Sequence, residues 1–292
     1  MKKVIASVVA VGCLAAAGAA FAGYQAGTGV NGSLHDMNGI ASANQDKAGR
    51  VCVFCHAPHH AIKDDLGATN YPLWNHTLVD PTKYTGYTWA TPANATFGVA
   101  DINVATVITD PLIGPSRLCM SCHDGAIAID QHGGLDGTMA QAGGTTVANR
   151  AKLTNDLSNT HPIGFDYNAA ATARNAKAGN GSATAGNSAE IVPSEYGFAT
   201  GINVVSTVAN QPVNGQGVYN EVFRGQPTDT GFKPIKDTLY QGQYMTCATC
   251  HEVHNKENAV QDAYTDDATK APNYFLYAKE SKSLICLSCH VK

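Results

Sequence analysis

The chain has 292 residues, 19 basic and 23 acidic side chains, and a formal charge of −4. Charged residues make up only 14% of it, against about 25% in an average soluble protein. The acidic balance argues against nucleic acid as a partner, and the sparse charge suits a surface that packs against copies of itself.

The N-terminus reads as a secretory signal over residues 1–22. Lys2 and Lys3 form a charged start, Val4 to Ala20 an apolar core, and Ala20-Phe21-Ala22 a small-x-small cleavage site. No other stretch is long and apolar enough to span a bilayer. Cleavage leaves residues 23–292 with 17 basic and 23 acidic side chains, a charge of −6. Cys13, after Ala10-Val11-Gly12, offers an alternative lipidated start, but the apolar segment before it is short for a signal core. The expected location is secreted, extracellular or at the cell surface, with the periplasm as the alternative.

The first chemical motif in the remaining chain is Cys52-Val-Phe-Cys55-His56. It recurs as Cys119-Met-Ser-Cys122-His123, Cys247-Ala-Thr-Cys250-His251 and Cys286-Leu-Ser-Cys289-His290. Two thiols at this spacing form thioethers to the vinyl groups of a haem, and the adjacent His ligates its iron. A shuffled chain of this composition would hold ~0.01 such motifs. The implied cofactors are therefore four c-type haems, attached through Cys52, Cys55, Cys119, Cys122, Cys247, Cys250, Cys286 and Cys289. His56, His123, His251 and His290 are their proximal ligands. With Cys13 removed, all eight remaining cysteines are used, so none is left for a disulfide or a nucleophile. Zinc is a poor alternative, because four-cysteine sites belong mainly to reducing compartments and do not need a His after each pair.

Two further runs punctuate the chain. Ile102–Ile108 and Ile202–Val208 are Val-rich and read as short strands. The stretch Asn168 to Asn210 is dominated by Ala, Gly, Asn, Ser and Thr without a sustained apolar period and reads as loop. Short helices are expected around the haem motifs, for example Ser283 to His290. The expected fold class is a multihaem c-type cytochrome: mostly coil with short helices and few short strands, the haems forming the core. Covalent haem stabilises such a chain much as disulfides or metals stabilise small domains. A single tetrahaem domain over 23–292 is expected.

Seven further histidines are available for the opposite faces of the four irons. The order His35, Cys52–His56, His59, Cys119–His123 is repeated as His161, Cys247–His251, His254, Cys286–His290, giving two haem pairs at about 30–125 and 160–292. The sequence between these landmarks does not repeat. His59 and His254 each follow a proximal His by three residues, which places them on the proximal side of their own haem and makes them ligands for a neighbouring one. His35 and His161 hold equivalent places and complete the set, with His76 as the substitute. His60 and His132 read as solvent or outer-shell residues. His on both faces closes the iron to substrates and suits electron transfer. No acid-base catalytic residue is expected.

The ordered set of His35-Asp36-Met37, Cys52–His59, Pro72-Leu-Trp-Asn-His76, Cys119–Gly125, His161-Pro-Ile-Gly164, Cys247–His254 and Ile285–His290 resembles the tetrahaem outer-surface cytochromes of the OmcE type. These polymerise into extracellular conducting filaments. The resemblance implies bis-His haems in a closely spaced chain, a coil-rich fold, and a homopolymer in which a neighbouring subunit supplies one distal His. Other redox proteins and an external electron acceptor are the implied partners. Only Val291 and Lys292 follow His290, so the far face of the fourth haem is expected to be closed by upstream residues or by another subunit, with His59 and His35 as the candidates for crossing. The alternatives are a soluble periplasmic tetrahaem shuttle and a multihaem oxyanion reductase. The latter needs an open iron flanked by basic or acidic groups, and no basic cluster lies beside a motif.

Overall fold

The computed structural model describes residues 29–40, 43–59, 61, 71, 73–86, 110–133, 135–138, 151–177, 191–204, 220–228, 233–256 and 274–291. The signal segment 1–22, Cys13, His60 and the Ile102–Ile108 run lie outside them. The described elements are few and short. They comprise α1 (Pro115–His123), α2 (Tyr167–Lys177), α3 (Cys247–Cys250), α4 (Leu284–Cys289), one antiparallel pair β1 (Ala199–Val204) and β2 (Asn220–Arg224), and several 3₁₀ turns. No described helix is long and apolar enough to cross a membrane.

Each haem motif occupies a single turn of helix. The first lies on the 3₁₀ turn Val51–Phe54 and the others on α1, α3 and α4. A Cys-x-x-Cys spacing on one turn sets both thiols on the same side. The other side of the turn faces the interior: Met120 and Ser121 of α1 are buried, as are Leu284 and Ser288 of α4. The His N–H then closes the turn by donating to the carbonyl of the first Cys, His56 to Cys52 (2.8 Å), His251 to Cys247 (3.1 Å) and His290 to Cys286 (2.9 Å).

Beyond this turn, the CxxCHxxH motifs of the two halves share a backbone arrangement that the sequence does not display. Ala57 N–H donates to Leu73 O (2.8 Å) and Asn75 N–H to Cys55 O (2.9 Å). In the second half Glu252 N–H donates to Phe275 O (2.7 Å) and Tyr277 N–H to Cys250 O (3.0 Å). Leu73 and Phe275, the matching residues, both sit in the left-handed region, at φ +54° and +61°. Side chains there are strained, and such strain persists only where surrounding bonds over-determine it. The sequence between the landmarks does not repeat, but this part of the backbone does. The repeat is carried by backbone hydrogen bonds, which place little demand on residue type.

The loop reading of Asn168 to Asn210 is also corrected at both ends. Residues 168–177 continue α2, whose start is fixed by Asp166 accepting from Ala169 N–H (2.8 Å). Tyr167, Ala170 and Ala171 are buried at helical spacing. Ala has the highest helix propensity but little hydrophobic contrast, so the helix shows no apolar period in the sequence. Residues 199–204 form β1, paired with β2.

The largest cluster of buried side chains joins Phe165, Tyr167, Val192, Phe198, Ile235, Leu239, Met245, Tyr277 and Leu284, with Cys250 and Cys289 packed against it. Two smaller clusters serve the first half: Val79, Leu112, Met120 and Leu157, and Met37, Phe54 and Ile129, the latter with Cys122 at its edge.

Candidate functional site

Local bonding aims each histidine. Asp36 accepts from Gly32 N–H (2.8 Å) and Asn38 N–H (3.1 Å), and Ser33 Oγ accepts from His35 N–H (3.1 Å), which orders the turn carrying His35. Gly164, at φ +82°, donates to Met245 O (2.8 Å) and anchors the His161-Pro-Ile-Gly turn. Four rings are held through Nδ1: His123 on Ala151 O (2.9 Å), His251 on Tyr274 O (2.7 Å), His161 on Pro162 O (2.9 Å), and His254 near Glu252 Oε1 (3.2 Å). A carbonyl acceptor fixes the proton on Nδ1 and leaves the Nε2 lone pair for a metal.

The rings then meet in pairs drawn from distant parts of the chain. His35 lies opposite His123 with centroids 6.0 Å apart, His254 opposite His56 at 6.2 Å, and His161 opposite His290 at 6.3 Å. A metal between two imidazoles, with bonds of about 2 Å and about 1 Å more from each nitrogen to its ring centre, separates the centroids by roughly 6 Å. Each pair joins one motif histidine to one of the additional histidines. The residues present fit bis-His haem on three independent counts: ring spacing, tautomer and thiol placement.

Three pairs leave one motif histidine, His251, and one strong candidate, His59. His59 is exposed, and among the described residues it meets no ring, hydrogen-bond or ionic partner. His251 is likewise exposed and, among the described residues, faces no ring at this spacing. His161 stands opposite His290 and His35 opposite His123, so among the described residues the motif histidine without an opposing ring at this spacing is that of the third motif.

His76, the substitute ligand, lies beside a motif cysteine. It is fully buried, 3.7 Å by Nδ1 from Cys122 Sγ, and tilted against Trp74. The backbone repeat pairs Asn75 with Tyr277, and hence His76 with Ala278, which is equally buried but has no ring. Burial lowers the His76 pKa to about 4, Asp130 opposing and His132 adding to the shift. Of the two readings of His132, solvent or outer-shell, the structure excludes the first: the residue is buried as well, its Nδ1 on Asp130 O (3.0 Å) and its ring against Phe54. Asp130 is fully enclosed and accepts from Asn44 N–H (2.7 Å), Thr138 N–H (2.8 Å) and Thr138 Oγ1 (3.1 Å). Sequence reasoning missed this group, since its members come from three separate loops.

The cysteines adjoin from motif to motif. Cys55 and Cys122 influence one another, and burial raises the thiol of Cys122 first. Cys119 bonds to Cys247 and keeps its proton, while Cys247 N–H donates to Ser116 Oγ (3.1 Å). Burial raises Cys250 to about 12, with Cys289 beside it. Motif one therefore borders two, two borders three, and three borders four. Among the described residues, no cluster of three or more His, Cys, Asp or Glu side chains forms a metal site. No protein-family model matches the chain, and no curated protein matches it.

Proposed function

We propose that the chain is an extracellular tetrahaem cytochrome that transfers electrons through four covalently bound haems and polymerises into a filament. The observation that carries this reading is the pairing of three motif histidines with three distant histidines at 6.0–6.3 Å. A bis-His haem supplies reversible one-electron chemistry, with no open position for a substrate. The chain's part is to hold the Nε2 lone pairs on axis, to fix the tautomers through Nδ1, and to set neighbouring motifs against one another. Adjacent cysteines bring the four attachment points into one uninterrupted series.

The polymer rests on His59 and His251. His59, exposed on one subunit, supplies the ring opposite His251 of the next, so each subunit donates at one face and receives at another. Such a heterologous contact propagates as an open filament. The buried thiols favour attachment before the core closes around them.

Full-length protein secreted by a host able to attach c-type haem tests both parts. Mass spectrometry should give four haems per chain, the oxidised iron should be wholly low-spin, and electron cryo-microscopy of the secreted material should show filaments. A high-spin signal with added-ligand binding would instead favour an oxyanion reductase. Small monodisperse particles with all iron low-spin would favour a soluble shuttle. His59→Ala should leave one haem in four high-spin and abolish filaments. Filaments that persist in this variant would remove His59 from the contact.

A further inference from the structure

Arg224, the last residue of β2, reaches across to the fourth haem motif. Its Nη2 donates to Leu287 O (2.7 Å), between Cys286 and Cys289. Its Nε is enclosed and has no hydrogen-bond partner. The titratable groups that face it are Cys289, Tyr167 and Tyr196, and none is a carboxylate. Burial works against the guanidinium charge, lowering its pKa, yet arginine stays protonated at any ordinary pH. Among the described residues, this cation is packed against the attachment turn of the fourth haem with no carboxylate among the groups that act on it.

The equivalent motif of the first half, on α1, also has an arginine nearby, Arg117, which is buried and whose Nε likewise has no hydrogen-bond partner. Here, however, a carboxylate accompanies it: Asp110 Oδ2 is 3.7 Å from Arg117 Nη2. The enclosed carboxylate Asp130 stands beyond His76, which touches Cys122. Both motifs pair with a histidine in the same way, His123 with His35 and His290 with His161. Ligand type therefore does not distinguish the two irons, whereas the adjacent charge does.

We infer that Arg224 raises the reduction potential of the haem held by Cys286, Cys289 and His290 above that of the haem held by Cys119, Cys122 and His123. The inference rests on the proposed haem loading. When one electron arrives from an electrode or a neighbouring haem, ferric iron becomes ferrous and the local charge falls by one. A nearby cation favours the more negative state, and a nearby carboxylate disfavours it. The poorly screened interior strengthens both effects. The gradient runs from the second haem towards the fourth.

Spectroelectrochemical titration of the loaded full-length chain tests this. His161→Met and His35→Met each move one component of the titration and so assign the fourth and second haems. In otherwise native protein the component assigned by His161→Met should lie above that assigned by His35→Met. Arg224→Gln should weaken electron uptake at the fourth haem about tenfold, a fall of roughly 59 mV for one electron, and Arg224→Lys should restore most of it. The inference is overturned by a fourth component at or below the second, by no shift in Arg224→Gln, or by equal shifts in the Gln and Lys variants, which would mark a packing role. The comparison of native components stands even if Arg224→Gln fails to load haem. A chain carrying no covalent haem at all would instead overturn the reading on which the inference rests.

Discussion

His161 and His290 stand with ring centroids 6.3 Å apart, although one lies in the turn before α2 and the other directly after α4. Removing the ring at His161 should open the fourth haem alone. His161→Ala is expected to convert one haem in four to a high-spin form that binds added imidazole, leaving the others low-spin. Electron paramagnetic resonance of the oxidised protein measures this, and an entirely low-spin spectrum would show that another residue closes that face.

Ser288 ties the same motif to the sheet. It is fully buried, accepts from Ala199 N–H (2.8 Å) and donates to Leu284 O (2.9 Å). Ser288→Ala leaves the Ala199 N–H enclosed without an acceptor, which costs about 1–3 kcal/mol. Denaturant unfolding should detect the loss while haem content stays at four per chain. A midpoint equal to that of the native protein would mean that the strand shifts to find another acceptor.

Gly164 allows the chain to pass close to Asp110. At φ +82° a Cβ would meet the Asp110 carbonyl oxygen and, at 2.9 Å, Pro111 Cα. These are backbone atoms, which have little room to yield. Gly164→Ala should therefore destabilise the fold by about 2–4 kcal/mol and lower the thermal midpoint. The contrasting control is Gly49→Ala, which meets nothing within 4 Å, although its own φ of +67° carries a smaller conformational cost.

His76 confers a pH dependence. Burial holds its folded pKa at about 4, below the 6.5 of the unfolded chain. The unfolded state therefore takes up the proton first as the pH falls. The contribution to stability is full above about pH 6.5 and is lost progressively towards pH 4, on the order of 3 kcal/mol over that window. His76→Leu should flatten this part of the acid limb in a series of unfolding midpoints from pH 7 to pH 4. The same slope in both proteins would exclude His76 as its source.

The Cys-x-x-Cys-His motifs were legible in the chain because they are local. Cys-x-x-Cys-His places its two sulfurs and its imidazole within one turn, so spacing alone implies four haem attachments at Cys52, Cys119, Cys247 and Cys286. Helix α2 was not legible, since its buried face consists of Tyr167, two alanines and Asn175, which give little apolar contrast. The shared turn of Leu73 and Phe275 was hidden for a related reason: it is specified by backbone bonds, and the residues there share neither size nor identity with their flanks.

The sequence by itself determined the number of Cys-x-x-Cys-His motifs and supplied seven histidines beside those within them. Only the tertiary structure decided which histidine faces which. That choice depends on where distant turns come to rest, His35 against His123, His254 against His56 and His161 against His290. It also placed Arg224 over the fourth motif and set His76 beside a sulfur instead of opposite a motif histidine. Residue type fixes what a side chain can ligate, but the partner is fixed by long-range packing, which no local spacing encodes.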